Sequence, residues 1–400
     1  MSSPHARHWD LDPDFAFLNH GSFGATPRVV LERQSELRAQ LESQPVRFYV
    51  REGEALLDRA RAVLAELVGA REDGLVFVRN ATQGVNAVLR TLEFAPGDEL
   101  LTTDHAYNAC ANTLRFVAER SGARVVVAPL PFPCAGEDEL VSAVLEHAGP
   151  RTKLALLDHI TSHTALVLPM QRLVDELQGR GIDVLVDGAH APGQIPLALD
   201  ALGAAYYTGN CHKWLCTPKG SAFLHVRADR RVPVRPTSIS HGANSKRTDR
   251  ARFQLEFDWT GTDDPTAMMC LPEALDFLSG LLPGGLPALR AHNHALVLRG
   301  RDHLCSLLET PAPCPDALLG SLATIPLPDG REGDLRPPLF LDPVHDALHA
   351  RGIEVPVVPC LEPPRRGVRI SAQAYNDFAQ YELLGRALIE ELARVPQGTA

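Results

Sequence analysis

Lysine is scarce in this chain. Of 400 residues, 39 are basic, yet only four are lysines: Lys153, Lys213, Lys219 and Lys246. Long apolar runs are missing too. No stretch reaches the ~20 residues that a membrane-spanning helix needs. The N-terminal MSSPHARHWD lacks the apolar centre of a secretion signal, so a cytoplasmic location is expected. There is no block of basic residues and the net charge is −10, which argues against nucleic acid or an anionic membrane as partner. The eight cysteines, at 110, 134, 211, 216, 270, 305, 314 and 360, form no C-x-x-C pair. That spacing suggests neither a zinc site nor a disulfide framework and fits a reduced compartment. What remains is an ordinary globular composition, 45% hydrophobic and 22% charged, in a chain longer than one average domain.

The most informative stretch runs from Ile182 to Val226, IDVLVDGAHAPGQIPLALDALGAAYYTGNCHKWLCTPKGSAFLHV. Ile182–Val186 is a continuous apolar run ending on Asp187, the pattern of a strand buried on both faces of a parallel sheet. Asp187 then stands at the carboxyl end of a strand, where open α/β sheets bind their ligands. Ala204–Tyr207 predicts a second strand, leading into Thr208-Gly209-Asn210-Cys211-His212-Lys213-Trp214. Ser221–Val226 predicts a third, after the turn Thr217-Pro218-Lys219-Gly220. An acid and a lysine therefore leave neighbouring strand ends. Lys153 opens an apolar run, Lys246 lies in a polar loop and Lys219 sits in a turn, so Lys213 is the amine best placed for chemistry. A lysine amine can hold an aldehyde cofactor as a Schiff base. A carboxylate can keep the pyridine nitrogen of that cofactor protonated, which draws electrons from a substrate Cα. Taken singly, Asp187 also reads as a surface acid and Lys213 as a solvated lysine.

Upstream, Val29–Leu41 and Glu52–Val68 have helical spacing, and Gly69 is placed as a C-cap. Leu75–Arg79 predicts a strand, Asn80-Ala81-Thr82-Gln83-Gly84 a polar turn and Val85–Leu92 a helix. Free amides at a helix start attract anions, although Asn80 or Thr82 also reads as a plain cap. Glu99–Thr103 predicts a strand that ends in Asp104-His105-Ala106-Tyr107-Asn108. Helix is expected at 110–120 and 139–147, strand at 124–128 and 153–157. The last of these strands ends in Asp158-His159-Ile160-Thr161-Ser162-His163-Thr164. His159 and His163 lack the third histidine or helix that a metal site would require. This alternation predicts an α/β fold with a mostly parallel sheet covered by helices on both faces. Beyond the polar, basic segment 233–258, helices are expected at 271–281, 289–308 and 376–392, and strands at 321–327, 353–358 and 368–371. Residues 20–275 are thus expected to form a large domain, with 1–19 and 276–400 in a smaller α+β domain. Arg369 alternates with Val368 and Ile370 and so points away from their face. On a strand, an arginine is ordinarily a surface residue.

The motifs VDGAHAPG and GNCHKWL…PKG, with LNHGSFG near the N-terminus, resemble the class V aminotransferase superfamily, whose members are pyridoxal-phosphate enzymes of fold type I. Within it the chain is most similar to the isopenicillin N epimerase group, and the resemblance extends from Leu18 to Asn376. It implies a seven-stranded, mostly parallel sheet, pyridoxal 5′-phosphate as cofactor and a homodimer with shared active sites. It implies Lys213 as the Schiff-base lysine and Asp187 as partner of the ring nitrogen. His105 would stack on the ring, with Tyr107 as the alternative stacker or as a group on the other face. Ala81, Thr82 and Gln83 match the phosphate cradle, while His190, Asn210 and His212 fall within the cofactor-binding motifs. Ser162 stands near where cysteine desulfurases carry an asparagine that touches the phenolic oxygen. Gly261 and Thr262 match a Gly-Thr that reaches the neighbouring subunit's phosphate. Asn19 and His20 fall on the substrate side, and Arg369 matches the arginine that forks onto the substrate carboxylate.

The resemblance points more firmly to cofactor than to reaction. Lys213 would remove a Cα proton in each case. Return of the proton to the opposite face gives epimerisation, the expected activity, with Tyr107 or His20 as second donor. Loss of a β-substituent gives C–S lysis, and return to the cofactor gives transamination; both stay open. Cys360 lacks the motif around a desulfurase nucleophile and is expected to line the pocket.

Overall fold

The structure, a computed structural model, describes residues 3–330, 342–359 and 364–394. Its centre is a seven-stranded sheet made of β1 (Leu75–Val78), β2 (Glu99–Thr103), β3 (Arg124–Ala128), β4 (Thr152–Asp158), β5 (Asp183–Asp187), β6 (Tyr206–Asn210) and β7 (Ala222–Val226). The strand order is β1-β7-β6-β5-β4-β2-β3. Only β7 runs against the others. The apolar runs of the inner strands follow from burial on both sides, because successive side chains point to opposite faces. Val184 and Val186 enter one core, and Leu185, Leu154, Leu156 and Tyr206 enter the other.

Helices cover both cores. Apolar residues of α1 (Arg28–Ser43), α2 (Gly53–Val68), α5 (Glu137–Leu145) and α6 (Met170–Gly179) join the first. Those of α3 (Ala81–Leu89) and α4 (Asn108–Ser121), and of α7 (Arg252–Phe257), join the second. The chain continues through α8 (Leu271–Gly280) and the long α9 (Gly285–Leu307) to a three-stranded antiparallel sheet. That sheet holds β8 (Leu322–Leu327), β9 (Val357–Pro359) and β10 (Arg366–Ser371) in the order β9-β10-β8. α10 (Pro343–His349) precedes β9, and α11 (Phe378–Arg394) packs along α9. The N-terminal pair Ala16–Phe17 forms a two-residue parallel bridge with Ile353–Glu354.

Several elements differ from the sequence expectation. α3 starts at Ala81, not Val85, because the Asn80 side chain accepts from the Gln83 N–H at 2.8 Å and closes a helical turn over the polar segment. The strand expected at 353–358 is split, since Val355 and Pro356 separate Ile353–Glu354 from β9 and proline has no N–H to pair. α6, α7 and α10 were not anticipated. α10 opens on an Asp342 cap, whose Oδ1 accepts from the Val344 N–H, with Pro343 in the first turn. Cys360 lies outside the described residues.

Candidate active site

β4 and β5 end side by side, with Asp158 in register with Asp187. Both acids are 3% exposed. Asp187 is held from two sides. Its Oδ1 accepts from the Ala189 N–H at 3.0 Å, and its Oδ2 accepts from the Cys110 thiol at 3.0 Å. Burial raises the carboxyl above its usual range; the thiol, the amide and the Lys213 charge oppose that rise. The next residue must be glycine, because a Cβ at Gly188 would stand 2.3 Å from the Tyr207 ring. Tyr207 passes beneath it to reach His159 Nδ1 at 2.9 Å.

The end of β6 is tied to the start of α3, where Asn210 Oδ1 accepts from the Ala81 N–H at 2.8 Å. Gly84 permits this approach, since a Cβ there would lie 2.3 Å from Thr208 Oγ1. Of the three cradle amides, those of Ala81 and Gln83 are taken by Asn210 and Asn80. Among the described residues, the Thr82 N–H has no protein acceptor, and its hydroxyl lies beside the Cys110 thiol. Gln83 turns its carbonyl oxygen back to the Arg79 N–H at 2.7 Å.

Lys213 follows in the turn after β6. Its Nζ lies 3.0 Å from His190 Nε2. Burial and the Arg369 charge pull the amine from 10.5 down to about 7. His212 Nδ1 donates to the Ser221 carbonyl at 2.8 Å, which fixes its tautomer. His20 lies behind the lysine. Its Nε2 donates to the Lys213 carbonyl at 3.0 Å, and its Nδ1 accepts from Tyr375 Oη at 2.8 Å. With both nitrogens engaged and burial lowering its pKa to about 3, His20 supports the lysine turn and is unsuited to exchange protons with a substrate.

His105, after β2, is buried, and burial lowers its pKa to about 4, so the imidazole is neutral. Its Nδ1 bonds Thr164 Oγ1 at 2.8 Å. Tyr107 caps α4 and leaves 43% of its surface exposed. Burial and the nearby Cys110 and Asp187 raise its phenol pKa.

Arg369 comes from β10 and is 5% exposed. Nη1 donates to the Ser162 carbonyl at 2.6 Å and to its hydroxyl at 3.3 Å; Nη2 donates to Ser22 Oγ at 2.9 Å and to Asn19 Oδ1 at 3.5 Å. Ser162, expected against the cofactor, is thus a partner of the arginine. No carboxylate among the described residues pairs with Arg369, and burial lowers its pKa to about 10. A buried guanidinium held only by neutral groups is suited to an incoming carboxylate.

Gly261 lies elsewhere in the chain, lining a cavity of about 260 Å³ with Tyr49, Arg79, Gln83 and Trp259, and Thr262 beside it is exposed. Asp263 pairs with Arg79. No hydrogen bond among the described residues links Gly261 or Thr262 to Asp187 or Lys213. Asp158 and Cys110 were not singled out from the sequence. The ending of two adjacent strands on acids was a visible signal for the first; nothing local marks the second.

Four buried polar atoms around this centre lack partners: His105 Nε2, Asp158 Oδ1, His190 Nδ1 and Arg369 Nε. A lysine amine near neutrality, a buried acid at a strand end, a neutral imidazole and a helix start form a donor set that fits pyridoxal 5′-phosphate.

Fold and site together define a fold-type I pyridoxal-phosphate enzyme. Residues 17–335 match the family described as Aminotransferase class-V, and the chain belongs to that family. It is 35% identical to the isopenicillin N epimerase of Amycolatopsis lactamdurans, across 95% of this chain and 96% of that protein. It is 28% identical to an L-cysteine desulfhydrase of Arabidopsis thaliana, across 95% of this chain and 90% of that one. Among solved structures it superposes with a TM-score of 0.77 on a cystine C–S lyase bound to cysteine persulfide. There the identity is 23%, and 94% of this chain and 97% of that chain are covered.

Proposed function

We propose that this enzyme epimerises or racemises an amino acid at Cα. Lys213 would hold the cofactor's aldehyde carbon, Asp187 its ring nitrogen and His105 its face. The Thr82 amide, with Asn210 and His212, would hold its phosphate. When bound, pyridoxal phosphate supplies an electron sink for charge developing at Cα. Arg369 receives the substrate carboxylate, steadied by Ser22, Asn19 and Ser162. Lys213, uncharged above pH about 7, takes the Cα proton.

The single observation that carries the epimerase reading is the placement of Tyr107. It leaves the loop after β2, whereas Lys213 follows β6, and β4 and β5 stand between those two strands. With its phenol and the Lys213 amine carried by separate strand ends, Tyr107 is proposed to reprotonate the face of Cα opposite the one that Lys213 deprotonates. The likeness to the Amycolatopsis epimerase over nearly the whole chain supports the same choice. C–S lysis is the second reading, favoured by the likeness to the desulfhydrase. All seven described cysteines are buried, so none of them is exposed as a persulfide-forming nucleophile.

Incubation of single amino-acid enantiomers in D2O separates these readings. Cα deuterium in a product of inverted configuration is expected. Sulfide and pyruvate from cysteine without inversion would replace the epimerase reading by the lyase.

The enzyme is proposed to act as a homodimer in the cytoplasm. Exposed Val46 and Val50 flank Tyr49, and exposed Val232 and Ile239 flank Pro236 and Thr237, all beside the cavity that Gly261 lines. A second copy covering these side chains would bring its Gly261 and Thr262 to this subunit's cofactor phosphate. Sedimentation at a dimer mass is expected, and a monomer retaining full activity would exclude shared sites.

A further inference from the structure

Asp158 has no place in the chemistry described so far, yet it sits beside Asp187 and is as deeply buried. Their Cα atoms are paired on parallel strands, so the two side chains leave the same face at the same level. The start of α4 touches both. The Tyr107 N–H donates to Asp158 Oδ2 at 3.2 Å, and the Cys110 thiol to Asp187 Oδ2 at 3.0 Å. Two carboxylates in register on adjacent strands and each 3% exposed disfavour carrying charge together, so the pair retains a proton.

Hydrogen bonding decides where that proton sits. Asp187 accepts two donors, one on each oxygen. Asp158 accepts one, and its Oδ1 is buried without a partner. Donors favour the ionised form of the acid they reach, and an oxygen without a donor is the natural place for a proton. We propose that Asp158 is a neutral acid and a positioning residue: it holds the single proton of the Asp158–Asp187 pair, while the Cys110 thiol fixes the negative charge on Asp187, facing the ring nitrogen.

The other ionisable groups near the pair are Tyr107 on α4, Lys213 after β6 and Tyr207 on β6. The phenols of Tyr107 and Tyr207 are raised and stay neutral, so Lys213 is the only one of these groups that changes charge near neutral pH. Burial, and then the Asp187 charge, push Asp158 well above the usual carboxylate range, in keeping with the geometry. The inference rests on Asp187 as the ring-nitrogen partner, but the location of the proton can be read without any cofactor.

The test is infrared difference spectroscopy of apoprotein at neutral pH, comparing Asp158→Asn with the unsubstituted chain. Loss of one protonated-carboxyl band in the variant is expected. An unchanged carboxylic-acid band would overturn the proposal, because the proton would then lie elsewhere. Should Asp158→Asn fail to fold, Cys110→Val and Cys110→Ser decide. Removing the donor from a charged acceptor should weaken cofactor retention about tenfold in the valine variant, while serine restores it. The visible cofactor band should shift its pH midpoint upward in the valine variant alone. Equal behaviour of the two would overturn the role given to Cys110.

Discussion

Lys213 combines two properties that a lysine seldom has together: it is largely covered by protein, and its amine is lowered to about 7. The cause is burial first and the Arg369 guanidinium second, with Asp187 and Asp158 pulling the other way. A free amine is the form that attacks an aldehyde. The rate at which apoprotein captures pyridoxal phosphate should therefore rise with pH and level off above about 7, followed by growth of the visible band. A plateau delayed to the ordinary lysine range would show that the amine is not so perturbed. Arg369→Lys is expected to leave the cofactor spectrum intact and to raise KM roughly 10–100-fold, because a point charge cannot grip a carboxylate through two parallel bonds. Steady-state kinetics across the pH range check this, and an unchanged KM would place the substrate carboxylate elsewhere.

At the scale of elements, the start of α3 is where cap and cradle coincide. Asn80→Ala should cost about 1 kcal/mol of stability and weaken cofactor retention, because the amides of that turn lose their alignment. Thermal melts and dialysis against buffer measure the two effects. How much of this architecture the sequence disclosed follows from what each signal depends on. The inner strands β4 and β5 were legible because burial on two faces leaves continuous apolar runs, at Leu154–Leu157 and Val184–Val186. Asp187 and Lys213 were legible because local order around each strand end is enough to place them. The first turn of α3 was read as loop, since Asn80, Thr82 and Gly84 favour loops until a cap and the close approach to Thr208 are known. Cys110 was not legible at all: only tertiary structure brings its thiol to Asp187. The same holds for Ser22 and Ser162, which meet at Arg369 through tertiary structure alone.

The molecule as a whole should be sensitive to acid. His105, His159, His163 and His212 are each lowered to about 4 by burial, His20 to about 3, and His190 lies well below its usual value. Between the unfolded value of 6.5 and these folded values, the unfolded chain binds more protons than the folded one. Stability is therefore full above about pH 6.5 and falls as pH drops toward 4. Asp104, Asp158, Asp187 and Asp258, raised in the fold, act in the opposite sense, but four acids stand against these six histidines. Urea midpoints of the apoprotein should decline steadily across that window. A flat profile would mean that these imidazoles are hydrated in solution.

Arg369 donates to Asn19, a residue 350 positions earlier in the chain. The proposed carboxylate grip is thus assembled from segments far apart in one polypeptide. A ribosome delivers Asn19 and Ser22 well before Arg369, which follows 350 positions after Asn19. A nascent chain can complete its central sheet and acquire its cofactor pocket while still unable to grasp an amino acid. On the proposed role of Arg369, competence toward substrate follows the cofactor pocket in the order of synthesis.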